Sequence, residues 1–161
     1  MFLTSEKLID INYFALDKES CLHDMVHLLQ EQNIIRSEQQ FLDKLWEREK
    51  IMPTGIGRQI AIPHARSENV KQLALVFFKL KNELDFEAID DHPVNFIFLI
   101  AIPQEMHQDY MQLLKAISNF CHSNDNLERL KAAETKSEVK AILDSISKDL
   151  SPDPNPKNQE K

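Results

Sequence analysis

Glycine is nearly missing from this chain. Its 161 residues include two, Gly55 and Gly57, and both fall in one window with Thr54 and Ile56. Glycine is used where the backbone takes positive φ or where another group must approach closely, so this window stands apart from the rest. Cysteine is as scarce. Cys21 and Cys121 have no paired spacing, and two residues cannot build a zinc site alone. Both read as small buried apolar groups. No apolar run nears the roughly 20 residues that a spanning helix needs. The N-terminal residues lack the basic start, apolar middle and small-residue cleavage site of a secretory signal. Positive charge is also in deficit: 19 Lys and Arg against 26 Asp and Glu give a formal charge of −7. That argues against nucleic-acid binding, which rests on clustered cations, and suits encounter with a basic protein. A soluble, cytoplasmic protein with no membrane insertion is expected, and nothing in the residues calls for a metal or a cofactor.

What is present is the balance of a globular protein, 42% apolar and 28% charged. Asp17 to Ser20 offer caps, and Leu22, Met25, Val26, Leu28 and Leu29 follow at helical spacing up to Gln32. Ser37 and Gln40 form a capping-box pattern ahead of a second helix carrying Phe41, Leu42, Leu45 and Trp46. Pro53 should close that helix between residues 50 and 52. Its charged stretch over residues 44–50 reads as a solvated face. Residues 59–63, 73–80 and 94–102 are short, rich in Val, Ile, Leu and Phe, and read as strands, the last apolar on both faces as a central strand would be. A short edge strand is expected near Asp85 and Phe86. Met111, Leu113, Leu114, Ile117 and Phe120 mark a helix of about 16 residues. A short helix over 126–133 follows, and a last one opens at Thr135 and Glu138. The order predicts an α/β fold: a single-domain sandwich with a mixed sheet flanked by helices on both faces. Residues 1–148 form the domain. Residues 149–161, polar and proline-rich, read as a disordered tail.

The chemistry concentrates after the glycines. Gln59, Ile60, Ala61, Ile62, Pro63 and His64 give an apolar strand ending in proline and then histidine. Pro63 stiffens the backbone before the imidazole, and catalytic groups in α/β sheets tend to sit at such strand ends. A neutral imidazole is a competent nucleophile toward phosphorus. It needs one nitrogen exposed, the other held by a hydrogen bond, and donors for the phosphoryl charge. Gly55 and Gly57 could bring N–H groups, Thr54 a hydroxyl, and Arg48 and Arg66 guanidinium groups from either side. From the residues alone, His64 reads either as a hydrogen-bonded structural histidine or as that nucleophile.

Arg48 and Glu49, then Thr54-Gly55-Ile56-Gly57, then Ile60-Ala61-Ile62-Pro63-His64 together resemble the signature of mannitol–fructose-type enzyme IIA domains of the phosphotransferase system. Phe86 to Val94 is similar to the segment leading into that family's central strand, and residues 127–143 to its C-terminal helices. The resemblance covers about residues 4–147. It implies an α/β sandwich and a phosphohistidine at His64, with Arg48 beside it and Thr54, Gly55 and Gly57 as the neighbouring turn. It also implies the histidine phosphocarrier protein as donor and an enzyme IIB cysteine as the usual acceptor. One departure stands out. The family usually has a second histidine seven residues past a proline like Pro103, and here that position is Tyr110. Three readings stay open: Tyr110 substitutes in weaker form, His107 reaches in from one turn away, or transfer is impaired. The register kept by Leu113 and Leu114 favours the first.

The remaining histidines call for no chemistry. His23 and His27 are four apart on one helix, with no further ligand at a matching spacing. His92 lies in a turn, and His122 near a helix end where positive charge suits the dipole. Two jobs fit the carrier: a sugar-transport enzyme IIA serving a fructose- or mannitol-type IIB, or a regulatory enzyme IIA of the nitrogen-related branch acting on a target protein. The forms Thr-Gly-Ile-Gly and Ala-Ile-Asp-Asp-x-Pro-Val, and the lack of room for a fused IIB or membrane domain, favour regulation. A degenerate, non-phosphorylated binding module is a third reading.

Overall fold

A computed structural model describes residues 4–51, 54–86, 92–106 and 109–148; the expected tail at 149–161 lies outside them. Secondary structure follows the order β1 (Ile9–Tyr13), α1 (Lys18–Glu31), α2 (Glu38–Ile51), β2 (Gly55–Gly57), β3 (Ile60–Ala61), β4 (His64–Ser67), β5 (Ala74–Leu84), β6 (Val94–Pro103), α3 (Asp109–Cys121), α4 (Asn124–Ala132) and α5 (Lys136–Lys148). The strands form one mixed sheet in the order β1-β5-β6-β3-β2, with β4 also paired to β6. β6 is antiparallel to β5 and parallel to β3 and β4, so it is the central strand its two-sided apolar character requires.

Alternation along the strands divides the core in two. Ala61, Ala65, Val76, Phe78, Ile97 and Leu99 face α1 and α2, while Ile60, Ile62, Phe77, Phe96, Phe98 and Ile100 face α3, α4 and α5. Helices therefore cover both faces, as the order of patterns implied. Both cysteines are buried and free, and burial pushes each thiol up to about 12, which leaves them inert packing groups.

The helix ends show why the elements stop where they do. Asp17 caps α1, its carboxylate accepting from the Ser20 N–H at 2.7 Å. Asn33 takes φ 59° just past the other end, where its own N–H bonds Gln30 O and the Ile34 N–H bonds Leu29 O. That is a Schellman closure made with asparagine, in a chain that keeps its glycines elsewhere. Ser37 accepts from the Gln40 N–H at 3.3 Å, but the Ser37 N–H itself is taken by Asn69 Oδ1 at 2.8 Å, so half of the expected box comes from a distant loop. At α5, Thr135 accepts from the Glu138 N–H and the Glu138 carboxylate accepts from the Glu134 N–H, both at 3.1 Å.

Several expectations differ from the structure. β1, β2 and β4 were not among the expected strands, although Ile9, Ile11 and Tyr13 alternate with Asp10 and Asn12. No strand lies at Asp85 and Phe86: β5 runs on to Leu84, and Phe86 is buried as an apolar plug. Among the described residues α3 runs for 13, and the two before it lie outside them. The charged stretch of α2 is not wholly solvated, because Glu49 is buried.

Candidate functional site

His64 does not end a strand; it begins one. Ile60 pairs with Phe96, Ala61 with Ile97 and His64 with Ile100 in the same parallel register, so β3 and β4 are one strand interrupted at Ile62 and Pro63. Proline has no N–H for the ladder, yet the Pro63 carbonyl still accepts from the Ile100 N–H at 2.9 Å. The interruption frees the Ile62 carbonyl to turn back, and it accepts a 2.8 Å hydrogen bond from His64 Nδ1. A carbonyl only accepts, so Nδ1 carries the proton and the neutral ring presents the Nε2 lone pair. Burial lowers the pKa of His64 from its ordinary value; the Ile62 bond opposes this, and the Arg48 charge adds to it. The ring is held neutral in the tautomer a nucleophile needs.

Behind the ring runs a chain of bonds that no local pattern revealed. Lys18 Nζ donates to Glu49 Oε2 at 2.7 Å, with the two side chains 15% and 2% exposed. The Lys18 ammonium also lies 4.4 Å from the centroid of Phe86. Glu49 accepts from the hydroxyl of Thr54 and, at 3.4 Å, from its N–H. The Thr54 carbonyl in turn accepts from the Ile62 N–H at 2.9 Å. Ile62, whose carbonyl orients His64, is thus tied back through its N–H to a buried ion pair joining the start of α1 to the end of α2.

The one hydroxyl proton of Thr54 goes to Glu49, since a buried carboxylate must be given donors. Gly55 and Gly57 pair with β3 opposite Ala61 and Ile60, and neither is among the residues lining the cleft. Glycine is required at Gly57, where φ is 90° and a turn through Arg58 and Gln59, both also at positive φ, begins. The glycine window therefore shapes the bend that returns the chain to β3.

The cleft, about 420 Å³, opens at the sheet edge and is lined by His64 and Arg66 of β4, Lys44, Arg48 and Ile51 of α2, and Tyr110 of α3, together with Glu47, Ala65, Ile102 and Gln104. In a chain of net charge −7, this wall gathers Lys44, Arg48 and Arg66 against the single acid Glu47. His64, Arg48, Arg66 and Tyr110 meet as candidates on one surface. Pro63 is buried in the break between β3 and β4, and His107 lies outside the described residues. Such a site can hold a small anion beside an imidazole nitrogen. Elsewhere, His23 and His27 are more than half exposed, and His27 bonds Glu31 and Glu38 rather than sharing anything with His23. Among the described residues, no helix is long and apolar enough to cross a membrane.

Solved structures define the class to which this fold and site belong. The crystal structure of nitrogen regulatory protein IIA-Ntr from Neisseria meningitidis matches with a TM-score of 0.82 at 27% identity, over 86% of this chain and 94% of that one. The crystal structure of IIA mannitol from Escherichia coli shares the fold at a TM-score of 0.75 and 22% identity, over 88% and 99%. The class is that of the phosphotransferase IIA proteins, whose members carry phosphoryl groups. More particularly, the chain belongs to the family described as "Phosphoenolpyruvate-dependent sugar phosphotransferase system, EIIA 2", which matches residues 2–146. It is 31% identical over 144 residues to the fructose-specific EIIA component of Haloferax volcanii, covering 89% of this chain and 94% of that protein. It is 28% identical over 145 residues to the fructose-specific EIIABC component of Bacillus subtilis, of which it spans 22%.

Proposed function

We propose that His64 is the phosphoryl carrier, accepting the group on Nε2 from the phosphohistidine of a histidine phosphocarrier protein. The observation that carries this reading is the bond from Nδ1 to the Ile62 carbonyl on the wall of the cleft, which leaves Nε2 as the reacting atom. As the donor's N–P bond breaks, the donor nitrogen keeps the electron pair and the His64 Nε2 lone pair forms the new N–P bond. The proton stays on Nδ1, hydrogen-bonded to the Ile62 carbonyl, so no proton moves at either reacting nitrogen. The positive charge gained by the ring offsets the phosphoryl anion, and the loose transition state meets the charges of Arg48 and Arg66 rather than bulk water. Transfer to an acceptor reverses the sequence. Ile51, 81% exposed at the rim, gives a protein partner an apolar foothold. The protein works in the cytoplasm.

The favoured role is regulatory: phosphorylation adds up to about two negative charges at the cleft and switches which target protein binds. The Thr-Gly-Ile-Gly window and the likeness to the Neisseria IIA-Ntr structure support it. A sugar-transport role is the second reading, favoured by the fructose-specific Haloferax relative; an Escherichia coli IIA–IIB mannitol complex of the same fold supports a IIB acceptor. Incubation with phosphoenolpyruvate, enzyme I and the carrier protein should place an acid-labile phosphate on the wild type and none on His64→Ala. Labelling of His64→Ala would move the site elsewhere. Rapid discharge of the labelled protein onto a IIB cysteine would decide for transport and against regulation.

A further inference from the structure

We propose that Arg66 is the anion clamp of the His64 cleft, and that the ring of Tyr110, not its hydroxyl, is the positioning residue that holds it there. The inference deepens the reading of His64 as phosphoryl acceptor and rests on it for its biological meaning. Side chains of a strand alternate between faces, so His64 and Arg66 in β4 share one side while Ala65 and Ser67 are buried on the other. Two residues of parallel strand separate their Cα atoms by about 6.6 Å. Arg66 is held at two points: Nη1 donates to the Met106 carbonyl at 3.3 Å, and its Cζ lies 5.6 Å from the centroid of the Tyr110 ring. Both supports come from the far wall, at the connection into α3 and its first turn, and His64, Arg66 and Tyr110 line the same cavity.

An unsupported arginine would lose much rotamer freedom on gripping an anion. One already held against a carbonyl and an aromatic face loses less, and therefore binds more tightly. A guanidinium carries five N–H donors in a planar fork, and the bond to Met106 uses one. Its planar fork matches phosphoryl oxygens, over which the charge of a transferring group is spread. Stacking draws on the negative face of the ring, so a phenyl ring serves as well as a phenol.

The test is a titration of the full chain with inorganic phosphate, following the His64 and Tyr110 ring signals by NMR. Arg66→Ala should weaken phosphate about tenfold, and Arg66→Lys should recover part of that, a point charge without the fork. Tyr110→Leu should weaken it about two- to fivefold, and Tyr110→Phe should recover most of the loss. In the Arg66→Ala background, Tyr110→Leu should add nothing, because its effect passes through the arginine. Should Tyr110→Leu fail to fold, Tyr110→Gln takes its place as a ringless variant. Wild-type affinity in Arg66→Ala, equal losses in the Phe and Leu variants, additive losses in the double variant, or no phosphate-induced shift in the wild type would each overturn the proposal. Phosphate binding needs no covalent transfer. A chain that binds phosphate through Arg66 but never labels His64 would refute the carrier reading and leave the clamp standing.

Discussion

The two ends of α2 each set a carboxylate beside a histidine, and the outcomes are opposite. At the N-terminal end, Glu38 accepts from His27 Nδ1 at 2.5 Å and Glu31 lies 3.1 Å from Nε2, with His27 and Glu31 about half exposed and Glu38 partly so. The Glu38 bond, then its charge, raise the His27 pKa. At the C-terminal end, Glu49 is buried and spends its oxygens on Lys18 and Thr54, while His64 beyond it bonds a backbone carbonyl and has its pKa lowered by burial. What separates the two histidines is water and the identity of the acceptor, not the presence of a carboxylate. Surface acids favour the protonated form of His27, whereas burial favours the neutral form of His64.

The largest expected difference is in stability. Lys18→Met leaves Glu49 without its cation, and breaking a buried pair costs about 3–5 kcal/mol, read as a lowered urea midpoint. The loss should also slow labelling of His64, because the tie from Glu49 through Thr54 to Ile62 slackens. Glu38→Gln, at the exposed end, should leave the midpoint near wild type; equal shifts at both ends would break the comparison. Next comes Asn69→Ala, which strips the start of α2 of an acceptor for the Arg36 and Ser37 N–H groups and of a donor to the Ser37 carbonyl. Unmade buried bonds of this kind cost about 1–3 kcal/mol. An unchanged denaturation curve would show that water replaces the amide.

The histidines themselves sharpen the contrast. Followed by the ring Cε1–H shift, His64 should titrate below the ordinary 6.5 and His27 above it. Coincident midpoints would remove the distinction. The smallest effect is the stability linkage, and its two parts have opposite pH windows. His64 is depressed, so the unfolded chain takes up its proton first; the contribution is full above 6.5 and is lost as pH falls below it toward the folded value. His27 is raised, so its contribution is full below 6.5 and is lost as pH rises through the folded value. Replacing His27 by Gln should remove the alkaline loss alone, as urea midpoints across the pH range would report.

Legibility followed the range of the cause. The helices of α1, α2 and α5 were readable because caps and apolar stripes act within a few residues, as Asp17, Ser37 and Thr135 do. β6 was readable because eight apolar residues among ten leave a strand only a central place. β1 carried a usable alternation that its short length masked. β4 carried none: His64, Ala65, Arg66 and Ser67 become a strand only because β6 offers the next rungs after Pro63. At the site, the segment holding His64 announced itself, whereas the bond from the Thr54 hydroxyl to Glu49 was not legible, because Glu49 is paired with a lysine at the start of another helix.

The residue order alone determined the α/β class, the order of helices and strands, and the concentration of chemistry between Gly55 and His64. These follow from periodicity, capping and backbone freedom, which act over a turn or a few rungs. Tertiary structure decided which nitrogen of His64 bonds the backbone, that Lys18 and Glu49 form a buried pair behind it, and that Arg66 meets Tyr110 across the cleft. Those outcomes depend on strand pairing and helix packing that bring together residues far apart in the chain, and on the water this excludes. Distance and dielectric are properties of the folded chain.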